Sequence, residues 1–184
     1  LTFFALLGMR GLLIAADGRM RSGFAWLAFA IGFGILAKGP VVLLHLLPVA
    51  ALALWWRPGL PWKRWAGGVL LAVLGGAAIA LAWAIPAAVH GGEEYARMIF
   101  WGQTAGRVAD SFAHKRPFWW YLPLLPLLFF PWLLWPGLWR RLLALKRESL
   151  DAGLRFCLAW LLPVFAFFSL ISGKQIHYLV PLFP

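Results

Sequence analysis

The chain has 184 residues, of which 63% are hydrophobic and 12% are charged. Because a water-soluble domain carries about 25% charged residues, this composition excludes a soluble globular domain and indicates an integral membrane protein. The charge is unequal, with 17 Lys and Arg against 6 Asp and Glu, but in a membrane protein such an excess marks particular loops and gives no reason to expect a nucleic-acid partner.

Seven apolar segments predict an all-α fold, a polytopic bundle of about six to seven transmembrane helices. A helix needs about 20 apolar residues to cross the hydrocarbon core of a bilayer. In chain order the segments cover residues 1–16, 23–38, 40–56, 66–89, 118–138, 154–172 and 176 onward. The chain begins with Leu1 and stops inside an apolar run, so we expect an internal fragment of a longer protein, with the two outer helices truncated. We expect residues 1–184 to form a single transmembrane domain.

Positive charge alternates between the two sets of connecting loops. Because positive residues are retained on the cytoplasmic side of a membrane, the richer set predicts the cytoplasmic ends of the helices. That set contains ten cations: Arg19, Arg21, Arg57, Lys63, Arg64, Arg140, Arg141, Lys146, Arg147 and Arg155. The opposite connections contain Lys38, residues 90–117 and Lys174, and they are predicted to lie on the outer side.

Prolines and two polar residues interrupt the apolar segments. The prolines at positions 86, 123, 126, 131, 136 and 163 each lack a backbone donor and can kink a helix. Such kinks either open a cavity between helices or only shape their packing. His45 and Arg10 lie inside apolar stretches, where we expect each to bind a neighbouring helix and not a substrate.

The loop at residues 90–117 concentrates polar side chains on the outer side and is the predicted working surface. We expect residues 93–108 to form a short amphipathic helix on the membrane surface. Arg107 would then meet a lipid phosphate. The alternative is that these charged residues only solvate a surface loop.

Several side chains of this loop belong to types that bind metals. They are His90, Glu93, Glu94, Asp110 and His114. Their spacing matches no established metal-binding signature, so we assign no metal ligand. The sequence predicts no defined cofactor and leaves a divalent metal open as an alternative.

Basic residues from three separate segments are predicted to meet on the outer side. His114, Lys115 and Arg116 lie where the chain re-enters the bilayer, and an arginine fork or a lysine point charge binds phosphate well at such a place. The alternative is that these cations only snorkel to the interface. Lys38 and Lys174 end apolar helices on the same side, and such convergence suits a bound anionic headgroup.

Four stretches of the sequence carry a further pattern. They are residues 35–40 (ILAKGP), 100–108 (FWGQTAGRV), 114–123 (HKRPFWWYLP) and 172–181 (SGKQIHYLVP). Together, and in this order, they resemble the polyprenyl-phosphate-sugar glycosyltransferases of the GT-C class. That family includes the lipid A aminoarabinose transferases and the protein O-mannosyltransferases.

The resemblance implies a reaction and a location. An enzyme of this kind takes a sugar from an undecaprenyl-phosphate carrier, inverts its anomeric centre and passes it to a periplasmic-side acceptor, which is a lipid such as lipid A, a glycan or a protein. It spans the bacterial inner membrane several times. The catalytic aspartate of the family lies in a first periplasmic loop, upstream of this sequence, so no catalytic residue is predicted here.

The resemblance also implies roles for single residues. Those at matching positions are Lys38, Arg107, Lys174 and Tyr178 at the lipid phosphate, and Gln103 and His114 near the donor cleft. In aminoarabinose transferases a histidine commonly occupies the region of Gln103 and helps to bind a metal. The glutamine of this chain argues against such a metal.

Two other functions stay open at this point. A transporter or lipid flippase would use proline-broken helices with polar ends, but it also predicts an inverted repeat, and we find none in the sequence. A membrane scaffold would have no catalytic role. Failure of a labelled polyprenyl phosphate to crosslink near residues 100–121 would favour the scaffold.

Overall fold

The structure is a computed structural model, and it describes residues 1–99, 116–143, 150–171, 174 and 176–182. These residues form helices and turns, with no strand among them. The predicted all-α class is therefore confirmed.

The first half of the chain forms regular helices where the apolar segments were predicted. They are α1 (Thr2–Ala16), α2 (Met20–Lys38), α3 (Val41–Ala51), α4 (Ala53–Trp56) and α5 (Trp62–Arg97). Glycines with positive φ lie in the turns that follow α1, α2 and α4, at Gly18, Gly39 and Gly59. Each long apolar run ends at such a turn, which is why sequence alone located these helices.

The segment that follows residue 116 is less regular than predicted. It contains two 3-10 turns and two short helices: Leu122–Leu124, α6 (Leu125–Leu128), Trp132–Leu134 and α7 (Pro136–Leu143). The sequence predicted one kinked membrane helix over residues 118–138. Four prolines between positions 123 and 136 each lack the donor that a helix needs, so no stretch is long enough for a regular helix.

The last long helix, α8, spans Ala152–Leu170 and begins at a capped position. The Asp151 carboxylate accepts a hydrogen bond from the Leu154 backbone N–H at 2.7 Å, a standard way to satisfy a free donor at a helix start. Beyond α8, the residues Ile176–Tyr178 and Val180–Leu182 form 3-10 turns. The predicted membrane helix from residue 176 onward is therefore wrong for residues 176–182, where Pro181 cannot donate to a continuing helix.

Three helices of the described residues are long and apolar enough to cross a membrane by length and composition, namely α2, α5 and α8. α1 and α3 are apolar but shorter. The chain is thus a helical membrane protein, although the part that the structure describes contains fewer full-length spans than the six or seven helices predicted.

The helices approach each other closely through small residues. A Cβ atom added at Gly11 of α1 would lie 2.8 Å from the carbonyl oxygen of Gly23 on α2. One added at Gly76 of α5 would lie 2.5 Å from Ile31 of α2. Because lipid gives no hydrophobic drive between helices, such close van der Waals contact is a main source of packing energy in membranes.

Ring contacts fix the direction of α8 relative to the helix pair α3 and α4. Trp56 lies 5.0 Å from Phe156, and His45 lies 6.3 Å from Phe168, centroid to centroid. Trp56, late in the α3–α4 pair, therefore faces Phe156, early in α8, whereas His45, early in α3, faces Phe168, late in α8. Helix α8 is thus antiparallel to α3. As a result, the start of α3 and the end of α8 lie at the same end of the bundle.

The opposite end collects residues that were predicted to be cytoplasmic. Arg57 Nη2 lies 3.4 Å from Asp17 Oδ1, and Arg155 Nη1 donates a hydrogen bond to the Trp55 carbonyl oxygen at 3.3 Å. These contacts join the ends of α1 and α4 to the start of α8. The grouping agrees with the predicted alternation of loops, and it puts Lys38 at the other end.

The helix α5 is interrupted at Gly92, where φ is 80° and ψ is 176°. Glycine adopts this conformation without the steric cost that a Cβ atom would add. After the break, Glu93 and Arg97 occupy one more helical turn and form an exposed ion pair, with Arg97 Nη2 3.6 Å from Glu93 Oε1. The predicted surface helix over residues 93–108 therefore begins as expected, and its part from residue 100 lies outside the described residues.

Candidate functional site

Lys174 is a buried cation at the end of the bundle that was predicted to face the outer side. Its side chain is 3% exposed. The ammonium Nζ donates one hydrogen bond to the Arg116 carbonyl oxygen at 3.0 Å and another to the Ile171 carbonyl oxygen at 2.5 Å. An ammonium group has three donors, and contacts with described residues use two of them.

The surroundings of Lys174 favour an incoming anion. Burial lowers the pKa of the Lys174 ammonium below its ordinary value, because a charge loses hydration when it leaves water. Two carbonyl oxygens compensate only in part, since neither carries a full negative charge. No carboxylate among the described residues forms an ion pair with Lys174. A phosphate group would supply the missing charge.

Arg116 lies beside Lys174 through its backbone, and its guanidinium is exposed. The guanidinium carbon lies 5.6 Å from the centroid of the Trp120 ring, a distance at which a cation is attracted to the ring face. Trp120 in turn makes an edge contact with Tyr121, which is fully buried. Two predicted site residues from distant parts of the chain are thus brought together.

Tyr178 is the third predicted site residue that the structure describes in this region. It lies in the 3-10 turn after Lys174, and its ring stacks on Phe168 of α8 with a centroid distance of 5.2 Å and an interplanar angle of 29°. Phe168 also contacts His45 of α3. The stack ties the turn that carries Tyr178 to the core of the bundle.

Lys38 shares this end of the bundle but makes no direct contact with the other two cations. It is the last residue of α2 and is exposed. Gly39 follows with a φ of 75° and turns the chain into α3. Among the described residues, Lys38 has no hydrogen-bond or ion-pair partner, so its ammonium is available to a ligand at the membrane surface.

Four predicted site residues, Gln103, Arg107, His114 and Lys115, lie outside the described residues. Their roles stay predictions. Of the predicted basic segments, the structure brings together the backbone of Arg116 and the ammonium of Lys174. Phosphate binding by these residues stays a prediction.

The metal alternative gains no support from the part of the chain that the structure describes, where no three metal-binding side chains lie together. His90 Nδ1 donates a hydrogen bond to the Pro86 carbonyl oxygen at 2.8 Å, and Glu93 pairs with Arg97. Asp110 and His114, which complete the predicted set, lie outside the described residues.

The predictions for the two polar residues inside apolar segments, His45 and Arg10, have different outcomes. Trp160 Nε1 donates a hydrogen bond to His45 Nδ1 at 3.1 Å between buried side chains of α8 and α3, so the prediction that His45 binds a neighbouring helix is confirmed. Arg10 is exposed on α1 and has no hydrogen bond to a described residue, so the same prediction is wrong for Arg10. Its long side chain can stay on the outer surface of the helix and needs no interior partner.

Two features of the site were not predicted from sequence. Tyr121 is fully buried, and its ring lies 6.3 Å from that of Phe165, centroid to centroid. The backbone carbonyl of Arg116, which holds Lys174, gives no signal in the sequence because every residue has one. Only the fold shows which carbonyl a distant lysine meets.

Curated relatives cover almost all of the chain. An undecaprenyl phosphate-α-4-amino-4-deoxy-L-arabinose arabinosyl transferase of Pseudomonas aeruginosa (strain LESB58) is 38% identical over 188 residues, which are 98% of this chain and 33% of the relative. A second protein of this name, from Pseudomonas fluorescens (strain Pf0-1), is 37% identical and covers the same two shares. The chain is a homologue of these arabinosyl transferases. The family resemblance predicted from four short stretches is therefore confirmed.

The likeness to the arabinosyl transferases extends beyond Pseudomonas. The transferase of Edwardsiella ictaluri (strain 93-146) is 35% identical over 163 residues, which are 88% of this chain and 29% of the relative. The chain thus spans about a third of the length of the curated relatives that it matches. No family model matches the chain, and no solved structure matches it.

Proposed function

We propose that this chain forms the carrier-binding part of a membrane glycosyltransferase, which moves a sugar from an undecaprenyl-phosphate-linked donor to an acceptor at the outer face of the bacterial inner membrane. The observation that carries the proposal is the buried ammonium of Lys174, which among the described residues has two carbonyl partners, one of them that of Arg116, and no carboxylate partner. The names of the arabinosyl transferase relatives support the class of donor. The acceptor is a lipid such as lipid A, a glycan or a protein.

The chemistry explains why such a cation is useful. Transfer breaks the bond between the anomeric carbon of the sugar and a phosphate oxygen, and it forms a bond from that carbon to an acceptor oxygen. As the first bond breaks, negative charge grows on the carrier phosphate. Cations that are already in place in a poorly hydrated cleft therefore bind the transition state more tightly than the ground state. We assign no general base in this chain.

Each predicted site residue has a role in this proposal. Lys174 and Arg116 would bind the carrier phosphate from the side of the bundle core, and Lys38 would approach from the end of α2. Tyr178 would add a hydrogen bond. As the family resemblance implies, Arg107 would bind the phosphate and Gln103 and His114 would contribute near the donor cleft, and the positive charge of Lys115 would attract the phosphate. A divalent metal is not needed for these contacts.

A transporter is not favoured as an alternative. The relatives that align along almost the whole chain are named as transferases.

The proposal is tested by sugar transfer in the full-length protein with Lys174→Met. This change removes the charge and keeps most of the apolar side chain. We expect kcat to fall about 10²-fold to 10³-fold, as it does when one preorganised donor is removed from a developing anion. The assay follows consumption of undecaprenyl-phosphate-linked aminoarabinose in membranes that contain lipid A.

Lys63→Met is the matched control, because Lys63 is an exposed lysine at the predicted cytoplasmic start of α5. It should leave turnover unchanged. Equal turnover of the Lys174→Met and Lys63→Met proteins, at equal amounts in the membrane, would refute the role of Lys174.

A further inference from the structure

A groove between α2 and α5 lies at the end of the bundle opposite Lys174. It has a volume of about 560 Å³, and its lining includes Arg21, Phe24, Arg64, Gly67 and Leu71. Both helices start at this end, which the charge distribution predicts to be cytoplasmic. The groove is thus separate from the candidate phosphate site.

The groove runs along α2 and α5 from the helix starts toward the middle of the helices. Its lining extends from Met20 to Ala28 on α2 and from Arg64 to Ala72 on α5. At a rise of about 1.5 Å per residue, these stretches reach about 12 Å along the helices. Apart from the two arginines, the lining residues are apolar or glycine. The shape therefore suits a flexible apolar chain that enters from the surface.

Two neighbouring glycines of α5 have different surroundings: Gly67 borders the open groove, and Gly68 lies where α5 contacts α2. A Cβ atom added at Gly67 would meet no atom within 4 Å, so this face of α5 borders free space. A Cβ atom added at Gly68 would collide with the ring of Phe24, so Gly68 is needed where the helices touch. A side chain introduced at position 67 can therefore fill the groove without pushing the helices apart.

The two arginines at the mouth of the groove are unpaired. Arg21 and Arg64 are exposed, and neither forms an ion pair within the described part of the chain. Nearby, Asp17 is already paired with Arg57. Two free guanidinium groups above an apolar groove attract an anionic headgroup whose tail is apolar, and arginine binds phosphate through paired hydrogen bonds.

We propose that this groove binds an anionic glycerophospholipid of the cytoplasmic leaflet. The lipid phosphate would contact Arg21 and Arg64, and one acyl chain would lie against Phe24, Gly67 and Leu71. A zwitterionic lipid offers the same tail but no net negative charge. A transmembrane helix with only apolar residues would cover the lining of the groove and leave both arginines without a counter-charge. The charge at the mouth therefore favours a lipid as the occupant.

The test uses the full-length protein in detergent, titrated with phosphatidylglycerol and followed by native mass spectrometry. Gly67→Phe fills the groove and keeps both arginines, and Gly67→Ala is the matched control that leaves the groove open. We expect Gly67→Phe to weaken phosphatidylglycerol binding at least about tenfold relative to Gly67→Ala. Arg21→Gln with Arg64→Gln should weaken it by a similar factor. Phosphatidylcholine should bind at least about tenfold more weakly than phosphatidylglycerol to the unchanged protein.

Each of three results would overturn the proposal. Gly67→Phe and Gly67→Ala could bind phosphatidylglycerol equally, phosphatidylcholine could bind as tightly as phosphatidylglycerol, or undecaprenyl phosphate could displace phosphatidylglycerol at equal concentration. If Gly67→Phe fails to fold, a photoreactive group attached to Gly67→Cys replaces it. Crosslinking to phosphatidylglycerol supports the lipid site, and crosslinking to another segment of the protein overturns it.

Discussion

Among single residues, the proposed function depends most on Lys174, whose ammonium the fold buries. The sequence indicated that Lys174 ends an apolar run, and the resemblance implied a phosphate partner. What the sequence could not predict is the carbonyl of Arg116, 58 positions earlier in the chain, as one of its two hydrogen-bond acceptors. Carbonyl groups carry no sequence signal, so only the three-dimensional contact shows that the ammonium is held in place before a ligand arrives.

The lowered pKa of Lys174 predicts a pH dependence of carrier binding. Phosphate binding needs the charged ammonium, and burial favours the neutral amine. Binding should therefore weaken as pH rises through the lowered pKa, before an ordinary lysine would deprotonate. Titration of undecaprenyl phosphate into the full-length protein at increasing pH measures this loss.

Lys174→Arg provides the control for this pH profile, because a guanidinium keeps its proton throughout the alkaline range. The variant should keep its affinity at alkaline pH, even if the larger fork binds more weakly at neutral pH. If the affinity of Lys174→Arg for undecaprenyl phosphate falls at alkaline pH as much as that of the parent protein, another group is titrating.

A second prediction at this scale concerns the buried hydrogen bond between Trp160 and His45. Trp160→Phe removes the donor and leaves His45 Nδ1 unpaired among apolar side chains. Hydrogen bonds between membrane helices contribute about 0.6 kcal/mol on average and about 1.7 kcal/mol at most. We expect the free energy of unfolding in detergent to fall by about 1 to 2 kcal/mol, since ring volume is also lost.

Trp26→Phe is the control for this variant, because Trp26 is 46% exposed on α2. It should change the free energy of unfolding by less than about 0.5 kcal/mol. Equal losses for Trp160→Phe and Trp26→Phe would mean that the bond to His45 does not stabilise the bundle.

At the scale of helices, sequence patterns were reliable where apolar runs are uninterrupted and failed where prolines are dense. The bounds of α1, α2 and α8 follow long apolar runs, because a bilayer demands internal hydrogen bonding of every backbone group. The segment from residue 118 to 138 is equally apolar but contains four closely spaced prolines. Hydropathy measures only transfer to lipid, so it overestimated how regular this segment is.

The break in α5 gives a prediction at this scale. Gly92 has a φ of 80° and a ψ of 176° inside an otherwise helical stretch, a combination essentially confined to glycine that costs any other residue about 1 to 3 kcal/mol. Gly92→Ala should therefore lower the free energy of unfolding by about 1 kcal/mol or make the helix continue straight past this point. Unfolding in detergent and the spacing between spin labels at residues 85 and 97 measure the two effects.

Gly67→Ala is the comparison for Gly92→Ala, since Gly67 is helical and has open space at its Cβ position. It should be neutral or slightly stabilising, because alanine has the higher helix propensity. A Gly92→Ala protein that is as stable as Gly67→Ala, with the same label spacing as the parent, would contradict the proposed role of the break.

At the scale of the whole molecule, alternating charge predicted which helix ends lie together. The contacts of Arg57 with Asp17 and of Arg155 with Trp55 join ends that the sequence assigned to one side. Contact between Lys174 and Arg116 joins two segments assigned to the other side. The predicted site can be compared with the structure only in part, because half of its residues lie in the 90–117 loop and outside the described ranges.

In the proposed function, cations from separate segments gather around the phosphate of an isoprenoid carrier at the predicted outer end of the bundle. A polyprenyl phosphate with a photoreactive group next to its phosphate tests this claim most directly in the full-length protein. We predict crosslinks to peptides that contain Lys38, Arg116 and Lys174. Crosslinks confined to the opposite end, at Arg21 and Arg64, would contradict the account.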